Sequence, residues 1–376
     1  MNELIELRKL ILVIVSIIVL AGCAEQKILE NISLTTLVGY ELTDENELSA
    51  TAVIRQINQD MESRVEVQSA TAETSKWTRT KIDLKTSKTT GSGQLRVILF
   101  GEEMAKEGLD NAIHIMKMNS EITNATYLAI VEGDLKELLE YSYKNITDIG
   151  QHIYQLIEHN IENHHAVSST LHEVNRDKLS LVRNYSLPII KKEEENIVIS
   201  GIAFFNGGKI VGQLPAEDAF FILMIRDRTH NGTLQLILPD STLKKPASDS
   251  TNGLPIAIDS IASKHKLKLK DASVPEFDLT VKFECRLMEI DADLNIEKSE
   301  IIQKLEKEIN KKIESELNRI IKYSQEVNSD IFEFGEYYRA HVRDEEIDKE
   351  KWNELYPQMK VNVTVKTKII RDGVFQ

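Results

Sequence analysis

The chain has 376 residues, of which 41% are hydrophobic and 28% charged, with 16 Gly, 7 Pro and 2 Cys. That composition excludes a disordered, collagen-like or disulfide-stapled protein, and the length suggests two or three domains with apolar cores of their own. Lys and Arg number 46 against 60 Asp and Glu, and the net charge of −14 speaks against nucleic acid and against a surface drawn as a whole to anionic lipid.

The first element is an apolar run at residues 10–20 (LILVIVSIIVL), broken only by Ser16 and preceded by Arg8-Lys9. It is too short to cross a hydrocarbon core, which takes ~20 residues as a helix. A basic start, a short apolar core and small residues before a cut make a secretory signal. The run ends in Leu20-Ala21-Gly22-Cys23, which resembles the lipobox of bacterial lipoproteins. The resemblance implies that the Cys23 thiol receives a diacylglycerol, that residues 1–22 are removed, and that Cys23 becomes the mature N-terminus. A plain signal peptide, or an uncut anchor with a chance Cys, is the alternative. Two acyl chains, at about 0.8 kcal/mol per buried methylene, hold a protein on a bilayer almost permanently. The removed segment carries Glu3 and Glu6 against Arg8 and Lys9, so the mature chain keeps its full negative charge. With Cys23 acylated, Cys285 has no partner and no intrachain disulfide is expected.

Residues 48–57 (LSATAVIRQI) read as a strand with Ile54 and Ile57 in the core. Residues 71–93, rich in Ser, Thr and Lys, read as loop with short structure. Residues 95–100 (LRVILF) are a second strand, leading through Gly101-Glu102-Glu103 into a helix that runs to about Met118. Acids at its start suit the partial positive charge there. Residues 126–131 (TYLAIV) are another strand, closed by Gly133 and followed by helices at 135–141 and 146–161. The charged stretch 191–195 (KKEEE) marks a boundary or exposed turn. It divides an N-terminal α+β region, 23–195, with two subdomains, from a C-terminal α+β domain, 196–376.

Residues 197–205 and 209–214 flank Asn206-Gly207-Gly208, a hairpin signal because those residues tolerate positive φ. A short apolar helix at 216–225 and a strand at 234–238 follow. Phe277, Leu279, Val281, Phe283, Cys285 and Leu287 alternate with polar residues, the period of a half-buried strand. Cys285 falls on its apolar face, as an inert core thiol. From 297 to 323, Ile302, Leu305, Ile309, Ile313, Leu317 and Ile320 form one stripe of a long amphipathic helix. Packing on the adjacent sheet is expected rather than a free coiled coil. Val361, Val363 and Val365 mark a closing strand, and the fold class is α+β.

No catalytic constellation stands out. A nucleophile elbow, a phosphate-cradling loop and a His-Glu-x-x-His motif are all absent from the sequence. Gly91-Ser92-Gly93 precedes a strand rather than opening a helix, which is the wrong context for a nucleotide. His159, His164, His165 and His172 are the only local histidine group, without a Cys or a tight i, i+4 pair to suggest zinc. Glu102 and Glu103, adjacent on a helix, diverge by about 100°. No catalytic residue, metal ligand or cofactor is expected, and nucleic acid is not an expected partner.

Three stretches taken in order resemble one family. They are residues 93–109 (GQLRVILFGEEMAKEGL); residues 204–214 (FFNGGKIVGQL) with Glu217 beyond; and residues 330–335 (DIFEFG) followed by Trp352-Asn353 and Tyr356-Pro357. Together with the lipobox they are similar to the Ger(x)C lipoproteins, C subunits of nutrient germinant receptors in spore-forming bacteria. Ala24-Glu25 replaces the family's usual Trp-Asp after the lipid Cys, and Gln94 stands where a His is frequent. The resemblance implies a three-domain α+β body on the outer face of the spore inner membrane, tethered through Cys23. It implies as partners a channel-like A subunit and a permease-like B subunit. The resemblance implies a subunit required for germination; with no chemistry of its own in the residues, the expected role is a non-enzymatic one, coupling or stabilising the membrane subunits. A substrate-binding lipoprotein of a transporter would instead need a cleft between domains. A lipid-anchored hydrolase would need two carboxylates at a fixed separation.

Overall fold

The computed structural model describes residues 32–56, 64–226, 232–239, 253–290, 298–342 and 346–370, with Arg8 alone before them; Cys23, Ile57 and the apolar run 10–20 lie outside the described residues. The chain begins with three antiparallel strands, β1 (Ile32–Leu42), β2 (Leu48–Gln56) and β3 (Arg64–Ala72), then helix α1 (Ser75–Asp83) and the short β4 (Thr89–Gly91). An alternating segment follows: β5 (Val97–Gly101), α2 (Glu102–Glu107), α3 (Asp110–Met118), β6 (Tyr127–Glu132), α4 (Leu135–Glu140), α5 (Ile149–Glu162), α6 (Leu171–Leu179) and β7 (Ser186–Glu193). The hairpin strands β8 (Asn196–Asn206) and β9 (Lys209–Pro215) complete a nine-stranded sheet of order β3-β2-β1-β5-β6-β7-β8-β9, with β4 also paired to β1.

At its centre β1, β5, β6 and β7 run parallel, and antiparallel strands close both sides. Parallel strands with crossover helices are covered on both faces and read as unbroken apolar runs. Every residue of β5 is accordingly buried. Ala105, Leu109, Ile113, Leu171 and Val174 from α2, α3 and α6 and their connection cover one face. Leu135, Leu138, Ile149, Ile153 and Ile157 from α4 and α5 cover the other.

The second sheet follows helix α7 (Ala219–Arg226). Its strands are β10 (Gly232–Leu238), β11 (Leu254–Asp271), β12 (Glu276–Ile290) and, at the end of the chain, β13 (Lys360–Ile369), in that spatial order. Between β12 and β13 come α8 (Ser299–Glu326), α9 (Phe334–His341) and α10 (Lys349–Leu355). Along β12 the apolar side chains from Phe277 to Leu287 all face the core, and α8 lays Leu305, Ile309, Ile313, Leu317 and Ile320 into the same core. The helix therefore packs on a sheet, as its single stripe implies.

One row of α8 beside that stripe also seals the sheet edge. The backbone N–H groups of Val365, Thr367 and Ile369 donate to Glu314 Oε1 (2.8 Å), Asn310 Oδ1 (2.7 Å) and Glu306 Oε1 (2.9 Å). Four helical residues rise about 6 Å and two strand residues about 6.6 Å, so the two periods match closely enough for three successive bonds. An edge strand whose donors are taken cannot recruit another strand.

Some elements were not named in the sequence reading, β1 and β3 among them, and others take a different form from the one it gave. Residues 75–83, read within a loop, form α1, capped by the Thr74 side chain accepting from Trp77 N–H; only Thr78 and Ile82 are buried, so no apolar period announced it. The helix expected from Glu102 to Met118 is two helices. Gly108 turns the chain at φ +131, and Leu109 N–H donates to Gly208 O at 2.8 Å, across to the turn between β8 and β9. Residues 191–195, read as a boundary or exposed turn, are the turn of the β7–β8 hairpin, with Glu194 at φ +54, and the sheet continues across it. The long β11 has no counterpart in the sequence reading, although Lys alternates with single apolar residues along its second half.

Replacing Glu306, Asn310 and Glu314 together by Ala is expected to lower unfolding stability by about 3 kcal/mol, near 1 kcal/mol per lost bond. Hydrogen exchange at Val365, Thr367 and Ile369 should quicken in the same variant. Unchanged exchange at those amides would contradict the edge seal.

Candidate functional site

The β8–β9 hairpin is where the two cores meet. Phe204 is buried in the core of the second sheet and its neighbour Phe205 in that of the first. Gly207 and Gly208 turn at φ +59 and +80, and a Cβ on Gly208 would lie 2.5 Å from Cγ of Asp110. These positions therefore require glycine, for conformation at both and for space at the second. Around the hairpin, Leu109 N–H reaches Gly208 O, Ser329 Oγ donates to Phe205 O (2.7 Å), and Asn206 Nδ2 donates to Asn328 O (2.7 Å). The three stretches set apart in the sequence, 93–109, 204–214 and 330–335, thus come together in space.

Asp330 is the centre of this junction. It is 1% exposed, and its carboxylate accepts four N–H groups. Oδ1 takes Phe332 and Phe334 N–H at 3.2 Å each. Oδ2 takes Gly335 N–H at 2.7 Å and the Trp352 indole Nε1–H at 3.1 Å. The backbone of the same residue pairs with Asn184, whose N–H donates to Asp330 O (3.1 Å) and whose Oδ1 accepts Asp330 N–H (2.9 Å). Burial raises the Asp330 carboxyl from 3.8 to about 7, and the four donors work against that rise. Between two of those donors Glu333 is held at φ +67, a left-handed conformation uncommon outside glycine.

Aromatic packing completes the arrangement. Gly335 lies under Trp352, where a Cβ would come within 2.6 Å of Nε1. Trp352 is flanked by Tyr338 and Tyr356, with ring centroids 5.4 and 5.7 Å away. The buried Tyr356 hydroxyl bonds to Ser324 Oγ at 2.7 Å, and Gln325 Nε2 donates to Tyr356 O and Met359 O. Asn328 Nδ2 ties Asn353 O at 2.9 Å. Trp352-Asn353 and Tyr356 therefore join the DIFEFG stretch in one packed unit.

Outside this unit runs a charged seam. Arg183 contacts Glu333 (2.8 Å), Glu336 (3.4 Å) and Asp177 (3.6 Å), while Arg176 contacts Asp177 at 2.8 Å. Burial works to raise the Glu336 carboxyl, but the Ser180 hydroxyl and the Arg183 and Arg339 guanidiniums outweigh it and hold it below its ordinary value. Beside the hairpin tip is a cavity of about 10 Å³ bordered by Asp110, Lys178, Tyr185, Asn206 and Gly208, a size that admits one water and not a nutrient. Asp110 Oδ1 and the Tyr185 hydroxyl are buried without a hydrogen-bond partner, and burial raises the Tyr185 phenol.

The other residues considered in the sequence fall elsewhere. His159 ends α5 and contacts Asn163, His164 and His165 occupy the next turn, and His172 opens α6. Among the described residues, no three His, Cys, Asp or Glu side chains gather to hold a metal ion. Glu102 and Glu103 share Lys106 in the first turn of α2, at 3.8 and 2.7 Å. Cys285 is fully buried, and burial, with Glu306 nearby, pushes its thiol up to about 12. Cys23 lies outside the described residues. Asp330 and Asn184 carried no catalytic pattern in the sequence. Their signal was only that an Asp stood five residues before a Gly in a run of aromatics.

Two family descriptions match the chain in succession: "Spore germination protein N-terminal domain" over residues 25–192, and "Spore germination B3/ GerAC like, C-terminal" over residues 200–373. They meet at the β7–β8 hairpin. Spore germination protein GerQC of Bacillus cereus is 26% identical over 373 residues, covering 98% of this chain and 99% of that protein. The crystal structure of the GerBC protein aligns with a TM-score of 0.53 over 89% of this chain and 97% of that one. With 17% identity, that likeness is one of fold.

The raised Asp330 carboxyl has a consequence for stability. Between pH 4 and pH 7 the folded chain keeps a proton there that the unfolded chain, near 3.8, has released, so stability falls as pH rises through that window and the effect levels off above it. Asp330→Asn should remove this component, flattening the slope by at most about 1.4 kcal/mol per pH unit. Asp330→Ala should cost about 3 kcal/mol or more, because buried donors lose their acceptor. Denaturant titrations across the window check both, and identical slopes for Asp330→Asn and the unmodified chain would contradict the assignment.

Proposed function

Because the chain belongs to the Ger(x)C family of spore germination proteins, whose two domains it carries in order, we propose that it acts through binding, coupling or stabilising the membrane subunits of a nutrient germinant receptor as its C subunit, and not through catalysis. The observation that carries this reading is the junction. The stretches by which the sequence resembles the family converge on one hairpin, and they build closed hydrogen bonds and packed, tilted rings rather than an open site with a free nucleophile. Such a construction fixes the orientation of two sheets and their outer surfaces. Nothing in the relatives supports a transporter's substrate-binding protein.

In this reading the partners are a channel-like A subunit and a permease-like B subunit. The chain sits on the outer face of the spore inner membrane, with residues 1–22 removed and a diacylglycerol on Cys23. Among the described residues no helix is long and apolar enough to cross a membrane, and the reading assigns the membrane hold to that lipid.

Spores carrying Cys23→Ala test it. The variant chain should keep its uncut length, wash off spore membranes, and leave the spores unresponsive to the nutrient that this receptor serves. Normal nutrient-triggered germination, with the variant present at ordinary abundance, would contradict the anchored-subunit reading.

A further inference from the structure

The outer face of the second sheet runs against the charge of the chain as a whole. Across β11, β12 and β13 the pairing sets Lys264 opposite Lys282 and Lys282 opposite Lys366, three lysines in one row. Lys266 and Lys268 follow along β11, and Lys368 stands two residues beyond Lys366. All six are exposed. Among the described residues, none of the six lies in an ion pair. The acids on this face are fewer: Glu276 is taken by Lys270 and Asn362, Asp278 bonds Asn362 and lies opposite Lys268, and Glu284 lies opposite Lys368. Like charges directly opposite one another in a sheet are destabilising. A row of three in a chain of net charge −14 works against the fold unless something anionic faces it.

The shape and composition of the face select the occupant. α8 covers the opposite side of this sheet, and its side chains take the edge donors of β13, which leaves the outer face rather than an edge to bind. Protein interfaces are depleted in Lys and are anchored by aromatic residues and Arg in pockets. This face instead spreads Lys over three strands, with Thr280 and Thr364 between them. An array of mobile point charges suits a planar anionic surface, where each Lys contributes separately and no pocket is needed. We infer that the outer face of β11–β13 lies against anionic lipid headgroups, orienting the domain on the bilayer. The net charge averages over faces; this one is attracted to the lipid while the remainder is repelled. The inference does not depend on acylation of Cys23, since any N-terminal hold would bring the face into reach.

The test is a short lysine-acetylation pulse on the full chain, with phosphatidylcholine vesicles or with vesicles also containing phosphatidylglycerol, read by mass spectrometry. Lys322, exposed on α8 at the far side, serves as the internal reference. Lys264, Lys282 and Lys366 should be acetylated about threefold more slowly, relative to Lys322, on the anionic vesicles only, and about 0.5 M salt should abolish the difference. Equal rates on both vesicles would overturn the inference. So would slowing that appears only when spore membrane proteins are added, which would identify an acidic protein partner instead. The triple variant Lys264→Gln, Lys282→Gln, Lys366→Gln should fold, because it removes like-charge contacts, and should lose the slowing at Lys266, Lys268 and Lys368; persistence there would also overturn the inference. Pelleting with neutral vesicles reports the N-terminal hold separately, so failure of the anchor and failure of the face give different results.

Discussion

Asp330 holds a buried carboxylate among four N–H donors contributed by its own loop, by α9 and by the indole of α10, and the backbone on either side of it is tied to Asn184 next to the first sheet. Burying that group is costly unless its acceptors are filled. The loop fills them only when α9 starts at Phe334, Trp352 lies over Gly335, and the hairpin of β8 and β9 supplies the Phe205 carbonyl to Ser329. The same constraint therefore sets the start of one helix, the placing of another and the docking of one sheet on the other. Phe204 and Phe205, adjacent in sequence and divided between two cores, make the hairpin belong to both halves at once.

The sequence placed the elements with a strong apolar period or with turn residues that need positive φ, and left β1, β3 and β11 unplaced. The alternation from Phe277 to Leu287 marked β12, the stripe from Ile302 to Ile320 marked α8, and Asn206-Gly207-Gly208 marked the hairpin. Two of the misses show why. One is α1, in which nine residues bury only Thr78 and Ile82, so its period is carried by a cap rather than by apolar residues. The other is the break between α2 and α3, where Gly108 leaves the helix because Leu109 N–H finds an acceptor on Gly208, a hundred residues away in the chain and invisible to local pattern. The junction was legible only in pieces. Its stretches could be picked out as family-like, but Asp330 as their shared acceptor depends on Trp352, Asn184 and Phe205 arriving from three separate segments. A buried carboxylate satisfied by backbone donors leaves no charge partner in the sequence to signal it.

Charge gives the same lesson at a larger scale. A net charge of −14 argues correctly about the molecule seen from a distance, where the Debye length of about 8 Å at physiological salt blurs detail. Close to the surface the strand period takes over. It places Lys264, Lys282 and Lys366 side by side on one face, while the apolar residues between them go to the α8 side. The Asp330 junction ties the two sheets together, so in the proposed reading this face would be presented in one orientation.

The central claim, that this chain works by docking to membrane subunits, is tested most directly by recovering the tagged protein from detergent-solubilised spore inner membranes and identifying what accompanies it by mass spectrometry. The account predicts a channel-like and a permease-like multi-pass protein in amounts comparable to its own. Recovery of the chain alone, or with an ATP-driven transporter in their place, would contradict it.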